Sequence, residues 1–129
     1  MAGSKNVLLI EDEPALRDLY QDTLTRGGYL VETAGTAEEA YAKLKNYIPE
    51  YVCLDVMLPG KSGLEILHDL RSEPALNCMQ AKILILTNLA QRSVADNAME
   101  HGADGYIIKA DILPMELPEI LASLDEEES

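Results

Sequence analysis

The chain has 129 residues, 47% of them hydrophobic and 26% charged, and its 10 Lys and Arg against 23 Asp and Glu give a formal net charge of -13. At that length one domain buries roughly two-thirds of its unfolded surface, a core that needs no staples, and no apolar run approaches the roughly 20 residues of a membrane helix. The excess of negative charge repels phosphate backbones and anionic lipids, which argues against direct nucleic-acid binding and against a membrane surface as partner.

The N-terminus, Met1 to Lys5, has no apolar leader, so a cytoplasmic location is expected. Two cysteines fit that expectation: Cys53 lies inside an apolar run and reads as a buried small hydrophobe, and Cys78 falls in a loop. Five short apolar runs alternate with helix-like stretches, the pattern of a parallel sheet covered on both faces. After the first run, Val7–Ile10, Pro14 suits an opening helical turn, and Leu16, Leu19, Tyr20, Thr23 and Leu24 mark an inner face until Gly27 and Gly28 stop the helix. The second strand spans Leu30–Thr33.

Thr36 with Glu39 reads as a capping box for a second helix, whose inner face is Ala37, Ala40, Tyr41 and Leu44. The third strand is Tyr51–Leu54. Ser62 with Glu65 repeats the capping device for a third helix, which buries Leu64, Leu67 and Leu70 and ends before Pro74. The fourth strand, Ile83–Leu86, precedes a helix over about Arg92–His101 that Gly102 stops. Tyr106–Ile108 is the fifth strand. The last helix should have an irregular entry, because Pro118 follows Pro114 by one turn and the regular helix starts only near Pro118. Asp125–Glu128 and the final Ser129 read as an acidic tail or linker stub, leaving 1–124 as the domain.

Four of the apolar runs stop at a group capable of chemistry: Val7–Ile10 at Glu11 and Asp12, Tyr51–Leu54 at Asp55, Ile83–Leu86 at Thr87, and Tyr106–Ile108 at Lys109. If the strands are parallel, these groups share the sheet edge at which open α/β sheets bind ligands. Three carboxylates in one shallow pocket repel one another, and Mg²⁺ is the natural remedy, since it takes oxygen ligands from one or two carboxylates plus a phosphate. A carboxylate beside such a cation can also attack phosphorus and form an aspartyl phosphate, with Thr87 and Lys109 as donors to the phosphoryl oxygens. Taken singly, each residue has a plainer reading as a solvated strand end; together they read as a site.

Gly60-Lys61-Ser62 has the ending of a phosphate-binding loop, but Asp55 stands where that motif needs its first glycine. His68 and His101 fall far apart on predicted helices and read as surface histidines.

In Leu8–Pro14, Leu54–Gly63, Ile85–Thr87 and Gly102–Lys109 the chain resembles a response-regulator receiver domain of bacterial two-component signalling, over nearly its whole length. The resemblance implies a flavodoxin-like (βα)₅ fold with strand order 2-1-3-4-5 and helices on both faces. It further implies that Asp55 accepts a phosphoryl group from the phosphohistidine of a sensor histidine kinase or a histidine phosphotransfer protein. Asp12, Asp55 and the Met57 backbone carbonyl would hold Mg²⁺, with Glu11 acting through water. Thr87 and Lys109 would hold the phosphoryl oxygens, and Tyr106 would be the switch aromatic that follows Thr87. Such a domain is a signalling module rather than an enzyme with independent turnover. Its output partner is open, and the fourth helix, fifth strand and last helix would form the readout face and a possible homodimer contact.

Two departures from the family pattern modify these expectations. Ala110 follows Lys109 where the family usually has a cis proline, and a cis bond before alanine costs about 2.5–4 kcal/mol, so Lys109 should reach the site over a different or more mobile loop. Met57 and Leu89 are apolar at positions that otherwise orient an attacking water, which predicts a slowly hydrolysed phosphoaspartate. Two competing functions remain. A phosphatase of the haloacid-dehalogenase type needs a second Asp two residues after the nucleophile, where this chain has Met57. A phosphorylation-silent interaction domain would lack the acids.

Overall fold

The computed structural model describes residues 5–126. Strands β1 (Lys5–Ile10), β2 (Tyr29–Ala34), β3 (Tyr51–Asp55), β4 (Lys82–Thr87) and β5 (Gly105–Ile108) alternate with helices α1 (Pro14–Arg26), α2 (Ala37–Leu44), α3 (Gly63–Ser72), α4 (Arg92–Glu100) and α5 (Leu117–Glu126). All four strand pairings are parallel and the order is β2-β1-β3-β4-β5, the flavodoxin-like arrangement expected.

Because side chains alternate across a strand, each apolar run feeds two cores. Leu8, Ile10, Val52, Leu54, Ile83 and Ile85 pack with buried residues of α2, α3 and α4. Val7, Leu9, Tyr51, Cys53, Leu84 and Leu86 pack with Tyr20 and Leu24 of α1 and with Leu117, Leu121 and Leu124 of α5. Each large buried side chain contributes roughly 1.5–3 kcal/mol, so the sheet is fixed from both sides and its strand ends are held in register. The same burial pushes the Cys53 thiol up to about 12, which leaves it inert.

Local signals act largely as read, with differences that packing explains. Ser62 and Glu65 complete a capping box on α3 (3.2 and 3.1 Å). At α2 only half of it forms: Thr36 Oγ1 accepts from the Glu39 N–H (3.1 Å), but the Glu39 carboxylate accepts from the Gly35 N–H (2.7 Å). On α3, Ile66, Leu67 and Leu70 are fully buried, while Leu64 is only partly covered. Leu19, expected on the inner face of α1, is 45% exposed and lines a groove with Leu113 and Met115.

The irregular entry to the last helix is present as a 3₁₀ turn over Pro114–Glu116. Regular helix starts at Leu117, which puts Pro118 in the first turn, where its missing N–H costs no intrahelical bond. Of the acidic run read as a tail, Asp125 belongs to α5 and pairs with Lys5 (2.8 Å); residues 127–129 lie outside the described ones. No helix among the described residues is long and apolar enough to cross a membrane.

Arg71 ties four segments together. Its guanidinium donates to Gly102 O (2.9 Å), Cys78 O (3.0 Å), Ala81 O (2.8 Å) and Asp104 Oδ2 (2.8 Å), and Asp104 Oδ2 also accepts from the Ile83 N–H at the start of β4 (2.8 Å). Arg71→Met keeps the stem but leaves these acceptors without their donor, so it should lower the urea-unfolding free energy by roughly 2 kcal/mol, and more than Arg71→Lys does.

Candidate functional site

Parallel strands stopping in register bring β1, β3, β4 and β5 to one edge, where they end at Ile10, Asp55, Thr87 and Ile108. Glu11 and Asp12 follow the first, and Lys109 follows the last. Among the described residues, the buried polar or charged ones are Glu11 (1% exposed), Asp55 (3%) and Thr87 (0%), all at this edge. A fold that buries ionisable groups must pair them or neutralise them.

The pairing comes from Lys109, whose Nζ lies 2.9 Å from Glu11 Oε1 and 2.8 Å from Asp55 Oδ2. Its reach does not depend on a cis bond, since no cis peptide occurs among the described residues and Lys109–Asp111 forms a 3₁₀ turn. Asp55 Oδ1 accepts from the Met57 N–H (2.8 Å), and Glu11 Oε2 from the Glu13 N–H (3.3 Å). Thr87 Oγ1 donates to the neighbouring Asn88 carbonyl (3.1 Å).

One ammonium cannot balance two buried acids. Burial, and then the adjacent Asp55 carboxyl, push Glu11 up to about 7 against the pull of Lys109. Burial works against the charge on Lys109, but its hydrogen bonds to Asp55 and Glu11 outweigh it and leave the ammonium more firmly protonated than a free lysine. Asp12 stands exposed at the rim, and carboxylate oxygens of Glu11, Asp12 and Asp55 lie within 4.8 Å of one another. Three hard oxygen donors around the Lys109 ammonium fit a divalent ion such as Mg²⁺.

The structure thus brings Glu11, Asp12, Asp55, Thr87 and Lys109 together, as the strand ends predict. Met57 sits at the root of the β3–α3 loop with its side chain 51% exposed, and Leu89 is 68% exposed after β4. Tyr106 lies opposite Ile85 on β5, half-buried against the core beneath α3 and α4. The neighbouring Tyr106 hydroxyl raises the Arg92 guanidinium above its ordinary value.

Sequence reasoning missed Arg17, whose Nη1 donates to the Glu11 carbonyl (3.2 Å); its only signal is a place one turn into α1. It also separated His68 and His101, which together line a shallow cavity of about 200 Å³ between α3 and α4. Two helices that look distant in sequence pack side by side, although both histidines stay exposed as expected.

Fold and site define an α/β domain with an acidic pocket at the switch point of its sheet. The Response regulator receiver domain family matches residues 7–124, and the chain belongs to that family. It is similar to the Phosphate regulon transcriptional regulatory protein PhoB of Rhizobium meliloti, 34% identical over 116 residues that make up 90% of this chain and 48% of that protein. The chain spans about half the length of the curated transcriptional regulators it matches first. Among solved structures, a CheY-like receiver domain protein of Methanospirillum hungatei superposes with a TM-score of 0.81 at 32% identity, covering 96% of each chain. The response regulator TrrA of Thermotoga maritima, in complex with Mg²⁺-BeF, gives 0.76 at 34% identity over 93% of this chain and 98% of that one.

The raised Glu11 has a sign that can be measured. A carboxyl lifted from 4.5 to about 7 on folding costs no stability below pH 4.5, an amount that grows between pH 4.5 and 7, and a constant amount above that. Without divalent cations, Glu11→Gln should therefore be the more stable protein at pH 8, by up to roughly 3 kcal/mol. That advantage should shrink on titration from pH 7 toward 4.5, read as thermal midpoints of the two proteins.

Proposed function

We propose that this receiver domain is a phosphoacceptor, in which Asp55 takes a phosphoryl group from a phosphohistidine donor in a Mg²⁺-dependent reaction. The observation that carries the reading is the convergence of the three buried polar residues at one sheet edge, with Lys109 within 2.9 Å of both acids. Structural roles alone do not require two buried acids to share one lysine, because the fold could bury apolar residues there at lower cost.

Asp12, Asp55 and the Met57 carbonyl would hold the ion, with Glu11 acting through water. When bound, Mg²⁺ supplies the positive charge that the acids lack and neutralises the phosphoryl oxygens. An Asp55 carboxylate oxygen attacks phosphorus as the bond to the donor imidazole breaks, and the imidazole nitrogen keeps the electron pair. Lys109 moves its hydrogen bond from Asp55 to a phosphoryl oxygen, so its charge follows the charge being transferred. Thr87 exchanges the Asn88 carbonyl for another phosphoryl oxygen and draws the start of the β4–α4 segment inward. Tyr106, half-buried on the neighbouring strand β5, repacks in response.

A phosphoryl group adds about -1.5 to -2 charge, and couplings of this kind are typically about 1–3 kcal/mol. The α4–β5–α5 face is the readout surface for an output partner or for a second copy of the chain. The exposed, apolar Met57 and Leu89 side chains offer an attacking water no hydrogen bond, so the phosphoaspartate is hydrolysed slowly.

Incubation with a small acyl phosphate and Mg²⁺ should add the mass of one phosphoryl group, and Asp55→Asn should abolish the adduct. An adduct that survives this substitution would defeat the assignment. Lys109→Ala should slow adduct formation by on the order of a hundredfold, the size typical of losing one preorganised donor to developing charge. Placing polar residues at both 57 and 89 should shorten the phosphoryl lifetime; an unchanged lifetime removes the explanation from Met57 and Leu89.

A further inference from the structure

The Gly60-Lys61-Ser62 run is not a phosphate loop, yet its lysine has a defined place. Residues 56–62 connect β3 to α3, and backbone bonds fix the base of this loop. The Val56 N–H donates to Leu86 O (3.1 Å) and the Gly63 N–H to Val56 O (3.2 Å). A Cβ at Gly63 would stand 2.6 Å from Val56 Cα, so only glycine closes the base this tightly. The tip turns through Pro59 and through Gly60 at φ +88°, a conformation that restrains nothing by itself.

Lys61 ties the tip down. Its Nζ lies 2.7 Å from Asp69 Oδ2 of α3 and 5.2 Å from the centre of the Tyr41 ring of α2. The Tyr41 hydroxyl donates to the same Asp69 oxygen (2.7 Å). Loop, α2 and α3 thus meet at one carboxylate, with the ammonium bonded to it and lying over the aromatic ring. The titration directions agree with a formed network: Asp69 holds Lys61 above its ordinary range, Lys61 and then Tyr41 hold Asp69 below its own, and burial followed by Asp69 raises the Tyr41 hydroxyl.

We propose that Lys61, Asp69 and Tyr41 form a latch on the β3–α3 loop that positions the Met57 backbone and Asp55 for the cation. This inference rests on the phosphoacceptor reading above and assigns a point of control over the same site. Met57 lies on the latched loop, and its N–H holds Asp55 Oδ1 (2.8 Å), so an excursion of the loop disturbs both groups proposed as ligands. Lys61 is a positioning residue. The ammonium and carboxylate keep 39% and 30% of their side-chain surface exposed, so the latch is open to competition from salt or from a partner's charges, as partly exposed pairs are.

The test compares wild type with Lys61→Ala, Asp69→Asn, the double variant and Lys61→Arg. Amide exchange over residues 57–62, Mg²⁺ affinity by calorimetry, and acyl-phosphate reaction rate against Mg²⁺ concentration are measured on each. Lys61→Ala and Asp69→Asn should both speed exchange in the loop and weaken Mg²⁺ binding by up to about fivefold. The maximal rate at saturating Mg²⁺ should stay unchanged. The double variant should be no worse than the weaker single one, and Lys61→Arg should restore affinity. Loop exchange and Mg²⁺ affinity unchanged in both single variants would overturn the latch while leaving the phosphoacceptor reading intact. A wild-type protein that forms no adduct would defeat that reading, and loop exchange would still decide whether the latch exists.

Discussion

The Lys109 ammonium held between two buried carboxylates is the interaction on which the rest of this structure turns. Glu11 and Asp55 leave water at the ends of β1 and β3 because the strands that carry them are buried on both faces. Isolated ionised groups in such a place would be prohibitive, and Lys109 is brought to them across the sheet from β5. Compensation is incomplete by design of the set: the second acid is left with a raised affinity for protons, which marks the pocket as a place where additional positive charge is favourable. That deficit links the fold to the proposed chemistry, since a cation and then a phosphoryl group are the species that change the charge balance of such a pocket.

The strand order makes the deficit possible. In the order β2-β1-β3-β4-β5, β1 and β3 are neighbours whose following connections leave on opposite faces, which puts Asp12 and Asp55 at the switch point of the sheet. α1 then packs on one side of the sheet and α3 on the other. The β3–α3 loop borders this switch point. Its base is held by glycine packing and main-chain bonds, and its tip by the polar contacts of Lys61.

The sequence made the site legible because its signal is simple. An apolar run that ends in a reactive group says where the strand stops and what sits there, and parallel pairing does the rest. Glu11, Asp12, Asp55, Thr87 and Lys109 were all readable in this way. What stayed hidden depends on which helices pack together. Arg71 carries no signal of its own in the sequence, yet it joins the 78–81 loop to the entry of β5. His68 and His101 read as distant, yet the packing of α3 on α4 puts them around one cavity. Glu39 sits at the right spacing for a capping box, but the Gly35 N–H takes its carboxylate. Lys61 shows only a failed motif until α2 and α3 supply Tyr41 and Asp69.

In the proposed function, this pocket is organised around a phosphoryl group on Asp55, with a cation completing its charge. Fluoroberyllate, a phosphoryl mimic that needs no donor, tests it most directly when followed by fluorine NMR of the whole chain. A protein-bound fluorine resonance should appear with Mg²⁺ present, vanish on chelation, and be absent from Asp55→Asn. Amide shifts should spread with it to Thr87 and Tyr106. A wild-type protein that shows no bound resonance at saturating Mg²⁺, or one that keeps it in Asp55→Asn, would contradict the account.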